Sequence, residues 1–195
     1  MNHQSLGIFR ATALGLLGAT AAWLASCSLP AIEPARADAT RYYLLGGAAG
    51  LQFAPTGINL VPVRVSPYLQ SRLMAVRVGP NEVRFAAESH WAEPLDTAIT
   101  QLLRARLAKD AAGRDCTVQV LVQQCEGATG ADNHVRFAAI FEITAGGTAA
   151  KAERHEFTAK PRQWDGKDYG QLAVQLREAV GELGESILAA LPGKM

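Results

Sequence analysis

Cysteine, histidine and charged side chains are all scarce in this chain, and each shortage excludes a class of protein. Among 195 residues there are three cysteines and four histidines, with no Cys-x-x-Cys, His-x-His or His-Glu-x-x-His spacing that would bind zinc. The Gly-x-Ser-x-Gly sequence of a serine hydrolase is also missing. The sequence therefore predicts no metal site, no cofactor and no catalytic constellation, and we expect the protein not to be an enzyme.

An excess of basic residues is missing as well. Arg10 is the only Lys or Arg in residues 1–26, so residues 27–195 carry eighteen basic and eighteen acidic side chains. Proteins that bind nucleic acid normally present a basic stripe to the phosphates. This neutral balance argues against nucleic acid as a partner, and the length of residues 27–195 is sufficient for one domain with its own core.

A short uncharged run lies near the N-terminus. Residues 11–23 contain only Ala, Thr, Leu, Gly and Trp, and they follow a segment whose single charge is Arg10. This order is typical of a secretory signal, and the run is shorter than the roughly 20 apolar residues of a membrane span. Leu24-Ala25-Ser26-Cys27 comes next and looks like a bacterial lipobox, which is cleaved before the cysteine.

Cleavage at this position would make Cys27 the lipidated N-terminal residue. Its thiol would carry a diacylglycerol and its amine a third acyl chain, and each buried methylene contributes about 0.8 kcal/mol to membrane binding. The alternatives are an ordinary secretory signal with an incidental cysteine, or an uncleaved anchor. We predict a signal peptide at residues 1–26, lipidation at Cys27, a flexible Pro- and Ala-rich tether at residues 27–40 and a single domain at residues 41–195.

Hydrophobic periodicity in residues 41–195 predicts an α/β fold. A mixed sheet of about seven strands, largely built from antiparallel hairpins, is expected to be packed by two long amphipathic helices. The predicted strands are Arg41–Leu45, Ile58–Val65, Leu73–Val78, Val83–Ala87, Cys116–Gln124, His134–Thr144 and Arg154–Ala159. The helices are Leu95–Leu107, introduced by Pro94, and one that begins at Asp168 with Gln171 placed for a capping box. Glu126–Asn133 and Pro161–Lys167 are predicted to be loops.

The two cysteines outside the signal raise the question of a disulfide, which an exported protein favours. Cys116 and Cys125 are nine positions apart in one predicted strand, so they are expected to face opposite sides and to lie roughly 30 Å apart. A disulfide requires Cα atoms within about 7 Å. We therefore expect both thiols to be free.

One short segment contains side chains that could perform acid–base chemistry. Glu88, His90 and Glu93 lie close together just before the first predicted helix. Polar residues in that position more often cap the helix or bond to the loop. His134 and His155 fall in predicted strands, and we expect both on solvent-exposed faces.

Several stretches together resemble a known family. They are the lipobox at Cys27, the strand Thr40–Leu45, the segment Val78–Ala86 and, most specifically, Trp91-Ala92-Glu93-Pro94-Leu95. The sequence resembles the ABC-type transport auxiliary lipoproteins, the PqiC-like family of Gram-negative bacteria. The resemblance implies a periplasm-facing lipoprotein that works with MCE-domain proteins and inner-membrane transport components in lipid traffic between the two membranes. Only Cys27 carries over as a site residue.

Ser28 differs from the aspartate associated with inner-membrane retention, so the resemblance implies an outer-membrane anchor. The leading hypothesis is a non-enzymatic subunit that docks or stabilises the transport complex, with self-association as a further expectation. The alternatives are an envelope enzyme that uses Glu88, His90 and Glu93, or a lipoprotein that binds an envelope-assembly machine without touching lipid.

Overall fold

The computed structural model describes residues 39–46, 57–108, 115–146 and 151–191. These ranges form one mixed, largely antiparallel sheet with two helices, as the sequence predicted. The elements are β1 (Arg41–Tyr43), β2 (Ile58–Leu60), β3 (Arg64–Val65), β4 (Leu73–Arg77), β5 (Val83–Trp91), α1 (Leu95–Leu107), β6 (Cys116–Ala128), β7 (His134–Ala145), β8 (Ala152–Thr158), β9 (Arg162–Gln163) and α2 (Tyr169–Ala190), with a 3₁₀ turn at Pro67–Gln70.

The strands in these ranges number nine rather than about seven. The predicted strand Ile58–Val65 is interrupted at Pro62, and Val63 N–H donates to Thr100 Oγ1 of α1 at 2.9 Å instead of to the sheet. A further short strand, β9, forms inside the segment predicted as the loop Pro161–Lys167 and pairs with β7.

The centre of the sheet is the antiparallel hairpin of β6 and β7. Alternating apolar residues give it one buried face, because successive side chains of a strand point to opposite sides. The buried residues are Val118, Val120 and Val122 on β6, and Val135, Phe137, Ala139, Phe141 and Ile143 on β7. The strand order is β1-β5-β4-β6-β7-β8, and β2 and β3 pair in succession with the earlier part of β6.

A β-bulge changes the predicted placement of the cysteines. The register between β6 and β7 shifts between Val122 and Gln124, which leaves Gln123 as the additional residue of β6. This extra residue reverses the alternation, so Cys125 pairs with Phe137 and lies on the same buried face as Cys116. The prediction of opposite faces is therefore wrong. Both cysteines are buried and neither forms a disulfide, and their positions are about 30 Å apart along the strand.

The two helices cover one face of the sheet, and we call the other side the open face. The buried stripe of α1 is Leu95, Ile99, Leu103 and Leu107, and that of α2 is Leu172, Leu176, Val180, Leu183 and Ile187. The helices contact each other at the buried Gly184, where a Cβ would lie 2.7 Å from Cγ of Arg106. No helix in the described ranges is long and apolar enough to cross a bilayer.

The N-terminus of α2 is capped differently from the predicted capping box. Asp168 accepts a hydrogen bond from Gln171 N–H at 3.0 Å, as expected for an N-cap. Asp168 N–H, however, donates to Oδ1 of Asp165 at 2.7 Å rather than to the Gln171 side chain. Hydrogen bonds from the backbone N–H groups of Asp168 and Lys167 hold the pKa of the Asp165 carboxyl below its usual value.

Candidate functional site

The predicted lipidation site lies outside the described residues. Cys27 and most of the predicted tether belong to the segment before residue 39, which the structure does not describe. Lipidation therefore stays a prediction from the lipobox.

The three candidate acid–base residues are described, and the structure does not bring them together. Glu88 is exposed, and His90 Nε2 lies 3.1 Å from the carbonyl oxygen of Ala87 while its ring meets Tyr42 edge-on at 5.5 Å. Glu93 is half-buried and lies beside Gly46. Within the described ranges no hydrogen bond joins His90 to either carboxylate, so these side chains form no acid–base pair.

Of the two other histidines in the described ranges, His134 lies on the open face, as expected from its alternation with the buried Val135, whereas His155 differs from expectation. His134 is half-buried, and its Nδ1 lies 2.8 Å from the carbonyl oxygen of Asp132. His155 does not face solvent: its register opposite Phe141 turns the ring towards the helices, where it stacks on Phe141 at 4.9 Å. Its Nε2 is buried without a hydrogen-bond partner. Across the part of the chain that the structure describes, no group of His, Cys, Asp and Glu could hold a metal ion.

The Trp91–Leu95 segment acts as a junction between the sheet and α1. Trp91 is buried, pairs with Tyr43 of β1 and donates its N–H to the carbonyl of Arg72 at 2.7 Å. Pro94 is the N-cap of α1, and its carbonyl accepts from Ala98 N–H at 3.0 Å. The most specific motif of the sequence is thus largely structural, because its indole is in the core.

Sequence reasoning missed a buried ionic cluster. Glu126, expected in a polar turn, lies within β6 with its side chain 0% exposed. Its Oε1 accepts from Arg77 Nε at 2.6 Å, and its Oε2 accepts from the Tyr68 hydroxyl at 3.0 Å. Burial, reinforced by the negative charge of Glu126, raises the pKa of Tyr68, and the hydrogen bond to Glu126 raises the pKa of Arg77. We call these three residues the Glu126 cluster.

The Glu126 cluster joins the 3₁₀ turn, β4 and β6. Register places Arg77 beside Ala128, and therefore on the same open face as Glu126. The guanidinium also donates to the carbonyl of Pro80 at 3.2 Å. The charged groups of the cluster are paired with one another, so the cluster offers no unpaired group for catalysis.

The exposed apolar side chains gather at one end of the open face. Four large hydrophobic residues are exposed in the described ranges, and three of them lie here. Tyr42 (62%) is on β1, Leu44 (52%) directly follows β1, and Phe85 (41%) is on β5. Tyr42 lies beside His90 of β5, and His90 lies beside Leu73 of β4, so these three residues form one row across the strands. Phe85 lies beside Ala75, two residues further along β4. We call Tyr42, Leu44, Leu73 and Phe85 the apolar patch.

Concave sites on the described surface are shallow. Four pockets have volumes between about 170 and 250 Å³, below the roughly 300–1,000 Å³ of typical small-molecule sites. One lies on the open face, where Arg64 and Arg154 flank Leu121 and Ile140. The open face, rather than a cavity, is the candidate functional surface.

Comparisons with known proteins agree with this architecture. A sequence profile of the family described as "ABC-type transport auxiliary lipoprotein component" matches residues 43–188. A crystal structure titled as an uncharacterized protein superposes with a TM-score of 0.62 at 16% identity, covering 77% of this chain and 97% of that one. A Xanthomonas campestris protein of the DUF330 family superposes with a TM-score of 0.57 at 13% identity, covering 76% and 90%. No curated protein matches the sequence significantly.

Proposed function

We propose a function from the premise that this chain belongs to the family of ABC-type transport auxiliary lipoprotein components. The family makes it a transport-associated lipoprotein of the cell envelope. We infer that it is a periplasm-facing subunit of an MCE/ABC-type intermembrane lipid transport system, anchored in the outer membrane through Cys27, where it docks or stabilises the complex.

The observation that carries this proposal is a combination of two segments. The family match begins at residue 43, and the lipobox that ends at Cys27 lies just upstream of it. Residues 28–40 separate the two, and a fully extended segment of this length spans at most about 45 Å. This arrangement would keep the folded domain near the membrane while leaving its surfaces free to bind a partner in the periplasm.

The geometry of the described residues supports docking over catalysis. The Glu88, His90 and Glu93 side chains form no hydrogen bonds with one another, and the charges of the Glu126 cluster are paired with each other. The pockets are small, whereas the open face is broad and carries exposed apolar residues. Surfaces of this kind suit protein or membrane contacts.

Affinity purification of the full-length protein from solubilised envelopes tests the proposal. An MCE-domain protein should be recovered with the wild type and retained in a His90→Ala variant, because the proposal gives His90 no catalytic role. Loss of envelope function in His90→Ala, with no MCE-domain protein recovered from the wild type, would favour the enzyme hypothesis instead.

The anchor has a separate test. Metabolic labelling with a palmitate analogue should mark the wild type and leave Cys27→Ser unlabelled, and membrane fractionation should place the labelled protein in the outer membrane. Equal labelling of both chains would contradict lipidation at Cys27, and recovery in the inner membrane would contradict the sorting expected from Ser28.

A further inference from the structure

We propose that the apolar patch on the open face contacts the surface of the same bilayer that holds the lipid anchor. This inference rests on the proposed anchor at Cys27 and adds a second membrane contact, made by the folded domain itself. Its residues are Tyr42, Leu44, Leu73 and Phe85.

The composition of the apolar patch suits a membrane interface. Tyr42, with 62% of its surface exposed, presents an aromatic ring with a polar hydroxyl, a combination that is favoured at the level of lipid headgroups. Leu44 and Phe85 add apolar surface at 52% and 41% exposure. Concentrating these side chains at one end of a single face is unlike the scattered apolar residues of an ordinary surface, and it marks an interaction site.

The position of the apolar patch identifies the bilayer as its occupant. Tyr42 is the second residue of β1, and β1 begins directly after the tether. A flexible chain as long as residues 28–40 has an average span of about 20 Å, so the predicted tether would keep the first strand close to the headgroups. Tethering at this distance raises the effective concentration of lipid at the apolar patch, and weak contacts are then sufficient.

Charges beside the apolar patch favour an anionic lipid surface. Arg41 and Arg72 are exposed and directly precede Tyr42 and Leu73 in the chain, and neither forms an ion pair within the described ranges. Because successive strand residues alternate, the Arg41 side chain leaves β1 on the face opposite Tyr42, and β1 is the edge strand, so this long side chain reaches lipid phosphates around the edge of the sheet. Arg84 is paired with Glu82 at 2.8 Å, and Glu88 is the exposed carboxylate of the neighbouring part of β5. Unpaired guanidinium groups beside an aromatic residue attract the phosphates of anionic headgroups.

Val174 provides a matched control position. It is 44% exposed, close to the 41% of Phe85, but it lies on α2 and therefore on the helical side of the molecule. A fluorescent label attached at Phe85→Cys or Val174→Cys reports on each side separately. Cys116 and Cys125 are only 2% and 1% exposed, so they remain unlabelled while the protein is folded.

The experiment uses the full-length lipidated protein in vesicles of phosphatidylethanolamine and phosphatidylglycerol. We expect a lipid-borne nitroxide to quench about half or more of the fluorescence at position 85, because an interfacial apolar surface sits about 5–10 Å into the headgroup region. The label at position 174 should be quenched by aqueous iodide and not by the lipid-borne nitroxide.

Three other results would overturn the proposal, and they differ from one another. If the protein floats with the vesicles but iodide quenches both labels equally, the anchor stands and the apolar patch is free in water. A label at position 85 that is shielded from both quenchers would mean that a second copy of the chain covers the apolar patch. A protein that does not float refutes the anchor together with the contact that depends on it.

Discussion

Replacing Arg77 by methionine is expected to destabilise the protein strongly, because it removes the cationic partner of a buried carboxylate. Glu126 is 0% exposed, and its Oε1 lies 2.6 Å from Arg77 Nε. After the substitution, the hydroxyl of Tyr68 at 3.0 Å is the side-chain donor that remains. Removing one partner of a buried ion pair costs about 3–5 kcal/mol, since the other charge is left buried and uncompensated.

Urea unfolding measures this loss. With an m-value of about 2 kcal/mol/M, a loss of about 4 kcal/mol lowers the midpoint by about 2 M. Tyr68→Phe should cost less, about 1.5–3 kcal/mol, because it removes one hydrogen bond to a charged group and leaves the ion pair intact. The unanchored Cys27→Ser chain without its signal is the suitable protein, and the fluorescence of Trp91 and Trp164, which are both buried, follows the transition.

Arg84 provides the control, because it forms an ion pair of similar length on the neighbouring strand. Its Nε lies 2.8 Å from Glu82 Oε1, but the two side chains are 73% and 58% exposed, so Arg84→Met should cost less than about 1 kcal/mol. The double variant Arg77→Met with Glu126→Met removes both charges and should recover much of the lost stability. Equal midpoints for Arg77→Met and Arg84→Met, or no recovery in the double variant, would refute the reasoning.

Three further predictions concern the core. Leu103→Ala should lower the free energy of unfolding by about 2–5 kcal/mol in the same assay, because the side chain is fully buried; an unchanged midpoint would mean that the stripe on α1 is not core. Gly181→Ala should stabilise α2 by about 1 kcal/mol. Gly184→Ala should raise the stability by less, because its Cβ would overlap an α1 side chain. Equal urea midpoints for these two variants would refute this packing. Intact-mass analysis after non-reducing alkylation should find Cys116 and Cys125 unmodified in the folded protein, because both are buried and burial raises the pKa of the Cys125 thiol. Both should be modified after unfolding. A mass lower by two hydrogens would indicate a disulfide instead.

The regular elements could be predicted from the sequence because their periodicity is local. The structure places α1 at Leu95–Leu107, the range predicted from its apolar spacing, and begins α2 one residue after the predicted N-cap Asp168. The β6–β7 hairpin was likewise expected from its alternating residues. In each case the residues that define the burial pattern are neighbours in the chain, so the pattern is visible without knowing what covers it.

The candidate functional surface was less predictable, because it combines residues that are distant in the chain. Tyr42 of β1 and Phe85 of β5 come to lie on one face of the sheet only after β1 pairs with β5 and β5 forms its hairpin with β4. His155 was expected in water because its own strand is polar, yet pairing with β7 stacks it on Phe141. The sequence of a single strand does not indicate which other strand will pair with it.

What the sequence determined by itself is the class of the protein: a lipobox, a spacer, and an α/β domain whose burial follows from simple alternation and helical spacing. Family membership was likewise recognisable from short stretches such as Trp91–Leu95. The tertiary structure alone decided the position of Glu126. One additional residue at Gln123 reverses the alternation of β6, moving Cys125 to the helical side and Glu126 to the open face, where Arg77 and Tyr68 meet it. A bulge is a property of the pairing between two strands, so it becomes visible only when both are in place.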